Sequence, residues 1–201
     1  MPHPQESDER PQRNICDMTA NIPKVELHCH IEGTVTPALI KRFAEEHRID
    51  IPNTLFNGDG EYAWSGFQGF LAAYDAASEF IRTAENYREI IYEYLASASK
   101  EGAIYVEIFT SVDHASRVGI SYAEMLAALV QGIDDANAQF GIMCRMIVTC
   151  LRHLGPEKAL KDAKTAKALA KAGADGLVIG TLLEQTGGLK KFTEIIKSIR
   201  K

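Results

Sequence analysis

The sequence predicts an α/β fold, a partial (βα) barrel of about four parallel strands with flanking helices. Three observations carry that expectation. Short β-branched and aromatic runs alternate with longer stretches of helical periodicity, the order of a parallel sheet with right-handed crossovers. One run, residues 141–151, is nearly continuous in apolar character, as strands buried on both faces are. Thr, Ser and Pro stand where helices should begin, and Gly where they should stop.

The elements follow in order. Lys24–His30 reads as the first strand, with Glu26, His28 and His30 on one face and Val25, Leu27 and Cys29 on the other. Thr36-Pro37 opens an amphipathic helix that ends before Ile51-Pro52. Asn57-Gly58-Asp59-Gly60 is a turn. Residues 67–80 and 85–99 both show helical spacing, for example Tyr87, Ile90, Ile91, Tyr94 and Leu95. Ala103–Thr110 is a second strand, Ser121 caps a helix reaching about Gln139, and residues 141–151 form the third strand. Pro156 begins a helix that Gly173 stops, Leu177–Thr181 is a fourth strand, and a last amphipathic helix covers residues 188–200.

At 201 residues, 46% apolar and 24% charged, the chain suits one soluble domain, residues 22–201. Residues 1–21 are polar and contain Pro, with no apolar core for a signal peptide, so they read as a flexible leader and the compartment as the cytoplasm. No apolar run is long enough to span a bilayer. The net charge of −5 argues against nucleic acid as a partner. Residues 1–155 are acidic, with 12 Lys+Arg against 22 Asp+Glu, whereas residues 156–201 are basic, with 10 against 5. The lysines there recur at helical spacing (Lys161, Lys164, Lys167, Lys171), the pattern of a solvated helix face. The scattered Cys16, Cys29, Cys144 and Cys150 read as buried thiols rather than disulfides.

The chemistry gathers at His28-Cys29-His30-Ile31-Glu32-Gly33. Two imidazoles two residues apart at a strand end can both reach one borderline-soft cation such as zinc. Residues 23–33 resemble the opening strand of the adenosine/adenine deaminase family. Three later segments agree in order and spacing. Gly69–Asp75 resembles the helix that gates the family's purine pocket, Tyr105–Ser111 its second strand, and Cys150–His153 the end of its third. The resemblance covers residues 22–160. It implies a zinc barrel in which metal-bound water attacks the purine carbon bearing the amino group. By that resemblance His28 and His30 are two zinc ligands. Glu32 takes the acidic position that contacts the ribose in adenosine-specific relatives. Phe70 and Leu71 line the apolar side of the pocket, and the substrate is a purine nucleoside or base.

The sequence also departs from the family. Relatives place a third zinc His and the catalytic Glu in a His-Ala-Gly-Glu segment on the fifth strand, another His on the sixth, and an Asp on the eighth. In these 201 residues the last His is His153 and the last Asp is Asp175, which precedes its strand. Residues 161–201 resemble something else. Ala172–Thr181 is similar to the final strand of phosphate-binding barrels such as geranylgeranylglyceryl phosphate synthases. That likeness implies a phosphate turn at Gly180 and Thr181; a Gly-flanked buried strand is the alternative.

Other candidates are weaker. His114 reads as a residue at a helix start, His153 as a strand-end residue, and Glu107 as a paired structural carboxylate. His30-Ile31-Glu32 also fits the cytidine-deaminase type of zinc site, but that class needs a downstream Pro-Cys-x-x-Cys, and the chain has none. Three functions follow. The first expectation is a chimeric or truncated half barrel of deaminase lineage with little or no activity and a weak or incomplete zinc site. The alternatives are an active adenosine/adenine deaminase completed by oligomerisation, and a non-catalytic binding or assembly module. A half barrel exposes sheet edges, so a homo-oligomer is expected.

Overall fold

A computed structural model of the protein describes residues 22–149 and 176–178. The sheet is parallel throughout and runs in sequence order: β1 (Lys24–His30), β2 (Ala103–Ser111), β3 (Met143–Thr149) and β4 (Gly176–Val178). Between β1 and β2 lie a 3-10 turn (Ile31–Gly33) and three helices, α1 (Pro37–His47), α2 (Gly66–Ser78) and α3 (Ala84–Lys100). Between β2 and β3 lie α4 (Val112–Arg117) and α5 (Tyr122–Phe140). This is the α/β partial barrel that the alternation predicts.

The helices begin where the side chains can cap them. Thr36 Oγ1 accepts from Leu39 N at 3.2 Å with Pro37 at the first helical position, and Thr83–Asn86 and Ser121–Glu124 form reciprocal capping boxes. Gly141 ends α5 in the left-handed conformation, φ 72°, which a glycine adopts without strain. The core lies between the sheet and α1, α3 and α5. Phe43, Ile90, Ile91, Leu95, Val106, Ile108, Met125 and Leu129 are fully buried there. Where α3 crosses α5, a Cβ on Gly132 would stand 2.6 Å from Ile91 Cγ2 and 2.7 Å from the Arg88 carbonyl oxygen. That glycine lets the two helices touch.

The face assignment for β1 needs one correction. The β1–β2 register advances three residues on β1, Glu26 to Cys29, against two on β2, Val106 to Ile108. This extra residue is a β-bulge, and it reverses the alternation. Glu26 therefore does not share a face with His28 and His30; its carboxylate accepts from the Tyr94 hydroxyl of α3, beside Cys29. His28 and His30 stay on one face, both rings against Phe109. Cys29 and Cys144 are half-buried thiols outside any disulfide. The leader, His153, the helices predicted over 156–172 and 188–200, and Gly180 and Thr181 lie outside the described residues. Among the described residues no helix is long and apolar enough to cross a membrane.

Candidate functional site

The C-terminal ends of β1 and β2 bring the predicted histidines against one aromatic ring. Phe109 pairs in register with His30. Its ring stacks on His28, with centroids 4.2 Å apart at 14°, and on His30, 5.3 Å apart at 28°. The two imidazole centroids are 5.4 Å apart. Burial pushes the His30 imidazole below its ordinary value, His28 and His114 add to that, and the charge of Glu32 opposes it. A ring kept neutral in this way offers its lone pair as a donor.

Behind the histidines sits a carboxylate withdrawn from water. Glu32 is 0% exposed. Its Oε1 accepts from the Ser111 backbone N–H at 3.1 Å and its Oε2 from the Tyr74 hydroxyl at 2.9 Å. The His114 ring adds Nδ1 at 3.7 Å from Glu32 Oε1, while its Nε2 lies 3.4 Å from Asp75 Oδ1. Burial works to lower the His114 value, but the charge of Glu32, 3.7 Å from the ring, together with Asp75, outweighs it and holds the imidazole above its ordinary value. Burial first, then Glu32, pushes the Tyr74 phenol far above its usual range, so its hydroxyl stays a donor. The Tyr74 ring stands edge-on to both His30 (6.4 Å) and His114 (5.4 Å).

Helix α2 walls this corner. Phe70, one turn before Tyr74, contacts Trp64, Phe67 and Tyr74. A cavity of about 60 Å³ opens between Glu32, Gly33, Val35, Tyr62, Phe70 and Tyr74. That is room for a water or two, less than a purine needs. Leu71 does not line it and is 38% exposed. An open polar groove between α3 and α5 lies elsewhere, and its Arg88 is paired with Glu85 and Asp135.

The donors fit zinc in kind but not in number. Two imidazoles on one face suit the cation, yet among the described residues no group of three or more His, Cys, Asp or Glu side chains is placed to hold a metal. Glu107 does not supply one. It accepts from the Tyr105 hydroxyl at 2.9 Å and pairs in register with Arg145, as a structural carboxylate should. His114 sits in the first turn of α4, as predicted, but buried. Sequence reasoning assigned no role to Phe109, Tyr74 or His114 in this cluster. Phe109 and Tyr74 carried a signal, as members of the segments Tyr105–Ser111 and Gly69–Asp75 that the resemblance rests on.

Comparisons with known proteins give the family and the fold. A family model described as adenosine deaminase matches residues 23–187, past residue 160 and across Gly180 and Thr181. The chain is similar to the adenine deaminase of Chelativorans sp. (strain BNC1), 46% identical over 143 residues covering 71% of this chain and 43% of that protein. It is also similar to that of Mesorhizobium japonicum, 44% identical over 143 residues covering 71% and 44%. The chain thus spans less than half the length of these curated relatives. Among solved structures, an adenine deaminase from Arthrobacter aurescens superposes with a TM-score of 0.68 at 25% identity, over 76% of this chain and 47% of that one. An amidohydrolase from Burkhoderia ambifaria with bound Zn superposes with a TM-score of 0.72 at 26% identity, over 92% and 51%.

Proposed function

The chain belongs to the adenosine deaminase family, and from that premise we propose that it carries the N-terminal part of a purine deaminase site. The observation that carries the reading is the pair His28 and His30, one face of β1, both rings packed on Phe109 beside the α2 wall. When bound there, zinc would supply a water activated for attack on the purine carbon that bears the amino group. His28 and His30 would be two of its ligands. Phe109 fixes their ring planes, and Phe70 and Leu71 offer apolar surface to a base.

Glu32 lines the cavity, but both its oxygens already accept hydrogen bonds within the protein. With that carboxylate 0% exposed, its remaining acceptor sites are closed to a sugar hydroxyl, which favours a free base. Adenine is the first substrate to test, since the relatives are adenine deaminases. The 201 residues hold no His-Ala-Gly-Glu segment and no His beyond His153. We infer that this chain by itself has two zinc donors, no general acid/base for the water, and little or no turnover. The thiols of Cys29 and Cys144 support a reducing compartment, the cytoplasm.

Zinc titration of the purified chain tests the donor assignment. Binding should be weak and should vanish in the His28→Ala, His30→Ala double variant; binding that the double variant leaves unchanged overturns it.

A second reading concerns assembly. β1 is an edge strand of the described sheet, and Val25 and Leu27 on it are 57% and 55% exposed. An exposed apolar edge favours pairing with a second copy of the chain. Light scattering at micromolar concentration should give more than one chain mass, and a monomer rejects the reading.

A further inference from the structure

Helix α2 carries the apolar wall of the site, yet little apolar burial holds most of its length. Its buried residues, Ala77 and Ser78, are both in its last turn. Toward its start Phe67 is 70% exposed, Phe70 42% and Leu71 38%. Its N-cap, Ser65, makes no side-chain cap bond, and Gly66 follows at φ +66°. Beside the half-buried Ala73 and Ala76, two polar contacts tie the middle of the helix to the molecule: Tyr74 to Glu32, and Asp75 to His114.

His114 is placed to join these ties. It is buried at 4% exposure on α4, just beyond the end of β2. Its two ring nitrogens face carboxylates from two different elements, Nδ1 toward Glu32 of the 3-10 turn and Nε2 toward Asp75 of α2. Nδ1 has no hydrogen-bond partner, so the imidazole is not consumed in a local α4 contact. A histidine that merely filled space would have no reason to face both carboxylates.

We propose that His114 is a positioning residue of the purine site, bridging Glu32 and Asp75 so that α2 holds Phe70 and Tyr74 against the histidine strand. The proposal rests on the reading of this corner as a purine site. It adds that the wall is set from behind by a residue that touches neither metal nor base. Asp75 Oδ1, 3.4 Å from Nε2 on a side chain 62% exposed, forms the hydrogen-bonding arm. Glu32 Oε1, on a fully buried side chain and 3.7 Å from Nδ1, forms a purely electrostatic one.

Amide hydrogen exchange on the full chain tests this without any ligand. His114→Phe keeps an aromatic ring at this position and removes both polar contacts; exchange across residues 66–78 should rise about tenfold, while α3 and α5 stay as they were. Asp75→Asn, at an exposed position that does not threaten folding, should raise it about threefold. Unchanged exchange in α2 in both variants overturns the proposal, and so does a rise shared equally by α3 and α5, which marks a structural role alone. Adenine is then added to the native chain. Slower α2 exchange supports the purine reading, and no change tells against that reading while leaving the bridge standing.

Discussion

The Tyr74 hydroxyl donates to Glu32 Oε2 at 2.9 Å, a bond that joins helix α2 to the turn after the histidine strand across 42 residues. It satisfies one oxygen of a carboxylate with no exposure to water. Tyr74→Phe keeps the ring and strands that oxygen. The expected cost is about 1–3 kcal/mol of stability, read from the urea midpoint of the variant against the native chain. A change within error would mean that Glu32 finds another donor.

His114 makes stability depend on pH in a definite direction. Its folded value is raised, so its contribution is fully present below the ordinary imidazole value of about 6.5. The contribution is lost as pH rises through the raised folded value. The groups facing the ring are Glu32, Asp75, Tyr74 and Arg117, and Arg117 opposes the protonated form. The stability advantage of the native chain over His114→Phe should therefore shrink with rising pH. A difference that stays flat or grows is inconsistent with a charged, bridging imidazole.

The helix layer offers a test independent of the site. Gly132→Ala gains helix propensity of up to about 1 kcal/mol. It also drives a methyl to 2.6 Å from Ile91 Cγ2 and 2.7 Å from the Arg88 carbonyl oxygen. Overpacking against backbone costs about 1–3 kcal/mol and should win. Thermal melting should show a lower midpoint, and a higher one would mean that α3 and α5 separate without cost.

What the sequence disclosed follows from what is local. The parallel order and the helix starts at Thr36 and Ser121 depend on periodicity and capping within a few residues, and the structure has them. His28 and His30 were legible because the spacing of two between them still puts both rings on one face, against Phe109. Glu26 was misplaced because a residue inserted between Glu26 and Cys29, invisible to any pattern, moves Glu26 to the Cys29 face. The Glu32–Tyr74–His114 cluster was hidden for a different reason. Its members lie on three elements, 42 and 40 positions apart, and only tertiary packing brings them together. Glu32 was expected at a substrate; its burial and two internal acceptor bonds give it a second role that its place in the motif does not disclose.

A chain that carries the family site only in part, as proposed above, cannot complete the reaction alone. Conversion of adenine to hypoxanthine by the purified chain with added zinc tests it most directly. The account predicts no turnover above background, with or without a chelator. Robust turnover that a chelator abolishes, and that His28→Ala or His30→Ala removes, would contradict it and establish a complete catalytic centre in this chain.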